Sequence, residues 1–111
     1  MNNLHLSKEA QNDLVEIKTY ITEELENSDA ALATVSKITK KIRILKNQAY
    51  VGTPLSSVAD TESDYRFLVS GNYLVFYRAY GKDVYIDRVL YGRRDYMRIL
   101  FGDAQADETD E

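Results

Sequence analysis

Three apolar-rich runs between residues 65 and 91, the first and third of them alternating with polar positions, predict three consecutive β-strands. The strands cover residues 65–70, 73–80 and 84–91. The middle strand is almost continuously apolar, as expected of a central strand that is buried on both faces. Gly71-Asn72 and Gly81-Lys82-Asp83 separate the strands, and such short glycine-led links predict an antiparallel meander. On the third strand, strict alternation places these residues on one face: Tyr85, Asp87, Val89 and Tyr91.

The first half of the chain has helical rather than strand periodicity, after a short strand at residues 3–6. Ser7 is a suitable N-cap for a first helix of about twenty residues. Asn27-Ser28-Asp29 ends it and caps a second helix. The first apolar stripe comprises Ala10, Leu14, Ile17, Ile21 and Leu25, and the second comprises Ala31, Val35, Ile38, Ile42, Leu45 and Ala49. Opposite the second stripe lie Lys37, Lys40, Lys41 and Lys46, a row that either is solvated or contacts phosphate.

These elements predict an α+β fold with the order β-α-α-β-β-β. Two amphipathic helices with a short break form a helical hairpin, and this hairpin covers one face of the antiparallel sheet. A loop at residues 50–64 joins the layers, and a short basic-aromatic segment follows the meander. The length favours one core on one sheet face rather than two. The sheet partner of the first strand stays open.

Composition favours a single domain over residues 1–102, followed by an acidic tail at residues 103–111 that we expect to be disordered. The tail holds five acidic residues and no basic one, and the remaining body is close to neutral. No cysteine is present, which excludes disulfides and thiolate metal sites. No long apolar run indicates a membrane span, so a cytoplasmic protein without membrane contact is expected.

The residues that could carry chemistry are arginines and tyrosines of the meander and the segment after it. They are Arg66, Tyr73, Arg78, Arg88, Tyr91, Arg93, Arg94, Tyr96 and Arg98. Arginines can neutralise a reacting phosphate, and tyrosines can stack on bases or transfer protons. The structural alternative is that the tyrosines pack the sheet ends and the arginines pair with Asp64, Asp87 and Asp95. No phosphate-binding glycine loop, histidine-based triad or acidic cluster with metal-ligand spacing is recognisable, so no metal and no cofactor is expected.

The stretch YRFLVSGNYLVFYR, with VYIDRVLYGRRDYMRIL after it, resembles the RelE/ParE superfamily of bacterial toxins from type II toxin–antitoxin systems. The upstream strand and two helices also match, so the resemblance covers about residues 3–100. It implies a toxin that is neutralised by a cognate antitoxin, which wraps a segment over the sheet and helices. It also implies that operator DNA is contacted only through the antitoxin.

Two activities are known for this superfamily. ParE-like members bind DNA gyrase and trap its complex with cleaved DNA, whereas RelE-like members are ribosome-dependent mRNA endonucleases, or mRNA interferases. The smooth match of residues 70–96 favours the ParE-like branch. In that branch the arginine-rich end is a binding surface, with Arg78, Arg88, Tyr91 and Arg98 as binding residues. An inactive member that keeps only antitoxin binding is a third possibility.

The RelE-like alternative assigns catalysis to Arg66, Tyr73, Arg93 or Arg94, and Tyr96. Its pattern is incomplete in this chain. Leu68 stands where that pattern has a second lysine, and Tyr73 stands where it has an arginine. Loss of an arginine at the reacting phosphate would raise the barrier by about 2–4 kcal/mol.

Overall fold

The computed structural model describes residues 1–102, and the predicted disorder of the acidic tail concerns residues outside this range. The elements are β1 (Asn3–Leu6), α1 (Lys8–Glu23), α2 (Ser28–Ile44), β2 (Thr53–Pro54), β3 (Arg66–Ser70), β4 (Tyr73–Tyr80), β5 (Asp83–Tyr91) and α3 (Tyr96–Phe101). The predicted α+β fold, with a two-helix hairpin on a sheet, is confirmed. Strand β2 lies within the expected loop, and α3 is a helix that the sequence did not predict.

Two-residue turns join β3 to β4 and β4 to β5. Ser70 pairs with Tyr73 across the first turn, and Tyr80 pairs with Asp83 across the second. Gly71 and Gly81 have φ values of +59° and +58°, a conformation that a residue without Cβ adopts at little cost. The meander is therefore confirmed, with a second turn one residue shorter than predicted.

The sheet has the strand order β1-β5-β4-β3-β2. Strand β1 pairs in parallel with β5, with Asn3 opposite Asp83 and Leu6 opposite Ile86. The pairing assigns the partner that the sequence left open, and it adds one parallel ladder to a sheet that is otherwise antiparallel. The helical hairpin lies between these two strands in the chain, which gives the long connection that a parallel pair needs.

Side-chain caps set where the two long helices begin. Ser7 Oγ accepts a hydrogen bond from the Ala10 amide at 2.9 Å, and the Asn27 side chain accepts one from the Ala30 amide at 3.0 Å. Helix α1 ends at Glu23, so Leu25 lies beyond it and is 58% exposed. The prediction that Leu25 extends the buried stripe is therefore wrong.

The main core lies between the helical hairpin and one face of the sheet. Apolar stripe residues of both helices meet inward side chains of the two central strands, which buries apolar surface from both layers. The buried members of this core are Ala10, Ile17, Ile21, Ala31, Ile38, Ile42, Leu45, Ala49, Val75, Tyr77, Val84, Ile86 and Val89.

A β-bulge in β5 changes which side chains face the helices. Phe76 pairs with Arg88, but Tyr77 pairs with Ile86, so Asp87 is an extra residue without a partner on β4. Val89 therefore returns to the core that holds Ile86. The expectation that Val89 shares a face with Tyr85 and Asp87 is wrong, because it assumed uninterrupted alternation.

A second, smaller core occupies the other face of the sheet. Phe76, Leu90 and Leu55 are almost fully buried there. Side chains of α3 pack against them, and Leu55 begins a 3-10 turn in the connection between β2 and β3. The expectation of a single core is thus wrong, because α3 and this turn cover apolar surface that the sequence pattern left unassigned. Within residues 1–102, no helix is long and apolar enough to cross a membrane.

Candidate functional site

A groove of about 660 Å³ lies between the helical hairpin and the ends of β4 and β5. Its size falls in the range of ordinary ligand pockets, and its walls combine apolar side chains with a few charged ones. The helices contribute Asp13, Glu16, Ile17, Tyr20, Ile21, Leu25, Ala30 and Thr34; the sheet end contributes Asn72, Tyr73, Val89, Tyr91 and Arg94.

Two tyrosines from neighbouring strands form the sheet side of the groove. Tyr73 and Tyr91 are directly paired, and their rings meet edge to face with centroids 5.8 Å apart. Burial raises the pKa of Tyr73, so this phenol is poorly suited to act as a base near neutral pH. Gly92 closes the sheet end by donating its amide to the Asn72 carbonyl at 2.8 Å.

An ion pair between a buried carboxylate and a partly buried guanidinium lies at the wall of the groove. The carboxylate of Asp13 is 5% exposed and accepts hydrogen bonds from Nε and Nη2 of Arg88, at 2.8 and 2.9 Å. This partner raises the pKa of Arg88 and fixes its guanidinium against α1. Arg88, predicted as a binding residue, therefore supports the groove from inside.

Asp13 was not among the sequence candidates, although a signal for it exists. It lies three residues after Ala10 and four before Ile17, so a carboxylate interrupts the apolar stripe of α1. A charge on the buried face of a helix needs a partner, because its desolvation is costly.

Arg93 and Arg94 follow β5 in the turn that leads to α3, and both are exposed. Arg94 is the one that lines the groove, beside Tyr73 and Tyr91. The turn is held by the Arg94 amide, which donates to the Tyr91 carbonyl at 3.0 Å. The structure thus brings together three predicted residues, Tyr73, Tyr91 and Arg94. It also separates the roles of Arg93 and Arg94, which the sequence did not distinguish.

Other predicted residues belong to the opposite face of the sheet. Arg78 Nε donates to Asp87 Oδ2 at 2.8 Å, and the Tyr65 hydroxyl donates to the same oxygen at 2.9 Å. The Tyr96 ring lies 5.3 Å from that of Phe76, in the second core. Arg98 is exposed on α3.

Of the aspartates that were expected to pair with arginines, Asp87 does so through Arg78. Asp64 instead accepts a hydrogen bond from the Tyr80 hydroxyl, and Asp95 caps α3 by accepting from the Arg98 amide. The alternative, in which the arginines pair with these aspartates, therefore holds for Arg78. Arg93 and Arg94 remain exposed at the surface.

Arg66 lies apart from the groove, at the β2 edge of the sheet. Its Nη1 donates to the carbonyls of Gly52 and Tyr50, at 2.8 and 3.1 Å. Arg66 pairs with Tyr77, four residues from Tyr73 along β4, so roughly 13 Å of strand separates it from the sheet end.

No metal centre is apparent among residues 1–102, where no three histidine, cysteine, aspartate or glutamate side chains converge. The groove offers the half-buried phenol of Tyr73 and the exposed phenols of Tyr20 and Tyr91. It also offers the guanidinium of Arg94, which has no ion-pair partner within residues 1–102, beside the carboxylates of α1. This arrangement can bind a partner that presents apolar groups together with charge.

The comparisons with known proteins agree with this fold. Residues 4–96 match the family model described as ParE toxin of type II toxin-antitoxin system, parDE. No curated protein sequence is significantly similar to this chain.

Two solved structures share the architecture. A chain of the chromosomal ParDE TA system from P. aeruginosa aligns at TM-score 0.68 and 24% identity, covering 82% of this chain and 96% of that one. YafQ from E. coli strain BL21(DE3) aligns at TM-score 0.50 and 17% identity, covering 92% and 100%. At these identities the structures support the fold, whereas the family model spans most of the chain. The chain therefore belongs to the family of ParE toxins of type II toxin–antitoxin systems.

Proposed function

We propose that this toxin poisons DNA gyrase by trapping its complex with cleaved DNA, and that a cognate antitoxin neutralises it. Membership of the ParE family supports the first statement. The similar P. aeruginosa chain comes from a ParDE toxin–antitoxin system, which supports the second. Gyrase acts in the cytoplasm, so the toxin acts there as well.

The observation that carries the proposal is the dispersal of the basic residues. Metal-free phosphodiester cleavage needs several cationic or proton-transferring groups within a few ångströms of one phosphate. Here Arg66 is bound to two backbone carbonyls at one edge of the sheet, whereas Arg94 lines a groove at the other end. Tyr96 packs in the second core. This arrangement supports a binding surface more than a nuclease centre.

We assign the contact with gyrase to the groove and its rim. Tyr91 is 39% exposed and Arg94 is exposed beside it, and tyrosine and arginine are the residue types that most often dominate the energy of protein interfaces. An antitoxin segment that docked in the same groove would cover these side chains and explain neutralisation by simple competition.

The test is a paired assay on one purified sample, with gyrase supercoiling beside cell-free translation. Inhibited supercoiling, accumulated cleaved DNA and intact translation are expected. Arg94→Ala should weaken the inhibition about tenfold or more, as expected for an interface hot spot. Lys18→Ala is the matched control, because it removes one exposed positive charge from α1, outside the groove.

Blocked translation with intact supercoiling would overturn the proposal and favour the ribosome-dependent mRNA endonuclease. If neither process responds while the protein still binds an antitoxin, the chain is an inactive member that keeps only antitoxin binding. Equal losses in the Arg94 and Lys18 variants would reject the groove as the gyrase contact.

A further inference from the structure

The helical hairpin separates its charges between its two halves. Residues 1–29, which include α1, hold seven acidic and two basic residues. Residues 30–59, which include most of α2, hold five basic residues and no acidic one. A nearly neutral body therefore carries two strong local fields of opposite sign, and the net charge conceals both.

The basic residues of α2 form a continuous exposed strip. Lys37, Lys40, Lys41 and Arg43 lie within seven residues, and all four are exposed, because the buried face of the helix is formed by Ala31, Ile38 and Ile42. We name these four residues the α2 strip. They rise about 9 Å along the helix axis.

The tertiary structure extends the positive charge beyond the helix. The Asn2 amide donates to the carbonyl of Lys46 at 2.8 Å, and the Asn3 amide donates to that of Lys82 at 2.7 Å. Two consecutive residues thus bind the backbone of a lysine that follows α2 and the backbone of a lysine in the turn between β4 and β5. Both lysines are exposed.

The helix macrodipole does not by itself explain why four basic residues are clustered in the α2 strip. Cations near a helix C-terminus interact favourably with the macrodipole, which accounts for Lys41 and Arg43 in the last turn. The effect fades beyond one turn, so it does not account for Lys37 and Lys40. Among residues 1–102, no ion pair involves a residue of α2.

We propose that the α2 strip binds the phosphate backbone of double-stranded DNA directly, without an antitoxin. A duplex carries about one negative charge per 1.7 Å of its axis, so a 9 Å row of cations can meet several phosphates. The acidic α1 packs beside α2 and repels the same polyanion, which orients the contact. The expectation that DNA is reached only through the antitoxin would then be incomplete.

A duplex fits this surface better than a single strand. Single-stranded nucleic acids gain much of their binding energy by stacking bases on exposed aromatic rings. The segment that carries the strip, residues 37–46, contains no aromatic residue, so it offers charge without a stacking platform. The inference does not depend on gyrase as the target.

The experiment measures binding of a fluorescent duplex of about 20 base pairs by anisotropy, in a salt series. If four phosphates are contacted, affinity should fall roughly 150-fold between about 50 and 200 mM salt. The variant K37Q/K40Q/K41Q/R43Q should lose most of this binding and most of its salt dependence. The control K8Q/K18Q/R93Q/R98Q removes the same number of charges from exposed positions outside both the strip and the groove, and it should bind within about threefold of wild type.

Failure to bind the duplex at low salt would overturn the inference, as would equal losses in the two variants. Binding of a single strand of the same length as tightly as the duplex would also overturn it. Circular dichroism of both variants guards against unfolding. Supercoiling inhibition by the wild type is measured on the same sample, so the gyrase proposal and the DNA contact can fail independently.

Discussion

The carboxylate of Asp13 on α1 holds the β-bulge of β5 by accepting hydrogen bonds from Arg88 and from the next residue. Arg88 donates through Nε and Nη2, and the Val89 amide donates to Oδ2 at 2.9 Å. One buried carboxylate thus satisfies the guanidinium and a backbone amide next to the irregular pairing. This contact joins the helical layer to the strand that leads to Tyr91.

Asp13→Ala should destabilise the protein by about 3 kcal/mol, because it leaves the Arg88 charge and the Val89 amide without their acceptor. The free energy of unfolding in urea measures the effect. Arg88→Met in the Asp13→Ala background should recover part of the loss, since it removes the unpaired charge. Glu23→Ala, which removes an exposed acid at the end of the same helix, is the control. A loss below about 0.5 kcal/mol for Asp13→Ala would show that water replaces the carboxylate.

The close contact between Gly52 and Tyr77 leaves no room for a side chain at position 52. The Gly52 amide donates to the buried Tyr77 hydroxyl at 2.8 Å, and a Cβ on Gly52 would lie 2.5 Å from that oxygen and 2.9 Å from the Phe67 carbonyl oxygen. We expect Gly52→Ala to cost about 2–3 kcal/mol through overpacking, measured by urea unfolding.

Tyr77→Phe separates the effect of the Gly52–Tyr77 hydrogen bond from the effect of the steric clash at position 52. It should cost about 1–2 kcal/mol alone, because it leaves the Gly52 amide unpaired. Combined with Gly52→Ala it should cost less than the sum of the two single changes, since the nearest clashing atom is gone. Strict additivity would contradict the predicted clash.

Titration of the Tyr65 phenol makes the free energy of unfolding depend on pH in the alkaline range. Burial, and donation of its hydroxyl to Asp87, raise the pKa of Tyr65 to about 12. The folded state therefore favours the protonated phenol, and this contribution is complete below pH 10 and lost as the pH rises toward 12.

Tyr65→Phe should accordingly reduce the decline of unfolding free energy between about pH 10 and 12. A pKa rise of that size corresponds to roughly 2.7 kcal/mol for a fully buried group, and solvent around this half-buried ring reduces the expected effect to about 1 kcal/mol. Tyr20→Phe, which changes a ring that is 54% exposed, is the control. Identical pH profiles for wild type and Tyr65→Phe would reject the assignment.

Arg66 separates the two possible activities. If the toxin acts on gyrase, Arg66→Ala should inhibit supercoiling nearly as well as wild type and lose about 1–2 kcal/mol of stability, because two carbonyls lose their donor. Arg66→Lys should retain part of that stability. Loss of toxicity in a folded Arg66→Ala protein, with ribosome-dependent mRNA cleavage by the wild type, would instead support a catalytic role.

The elements with strong local signals were predictable from the sequence. Ser7 and Asn27 begin helices because their side chains accept from amides three residues later. Gly71 and Gly81 supply the positive φ of the turns. Such preferences act between neighbours in the chain, so they can be recognised without knowledge of the fold.

The site was only partly predictable, because contacts between distant parts of the chain bring its residues together. Tyr73, Tyr91 and Arg94 were singled out by residue type, but their association with Asp13 depends on how α1 packs on β5. Tyr96 and Arg94 are two residues apart in the chain and lie on different faces of the sheet, because α3 folds onto the second core. Residue type therefore identified the candidate residues, whereas tertiary packing decided which of them lie in the groove.

The amino-acid sequence was sufficient for the helical hairpin and the meander, since hydrophobic periodicity, caps and turns are local properties, and the resemblance of its motifs indicated the family. It was not sufficient for the parallel partner of β1, the bulge at Asp87, the second core or the groove. Each of these depends on contacts between residues far apart in the chain, and one extra residue in a strand reverses which side chains are buried. The arginines of this toxin acquire distinct roles only through those contacts: Arg88 is paired inside, Arg66 is bound at an edge, and Arg94 is exposed in the groove.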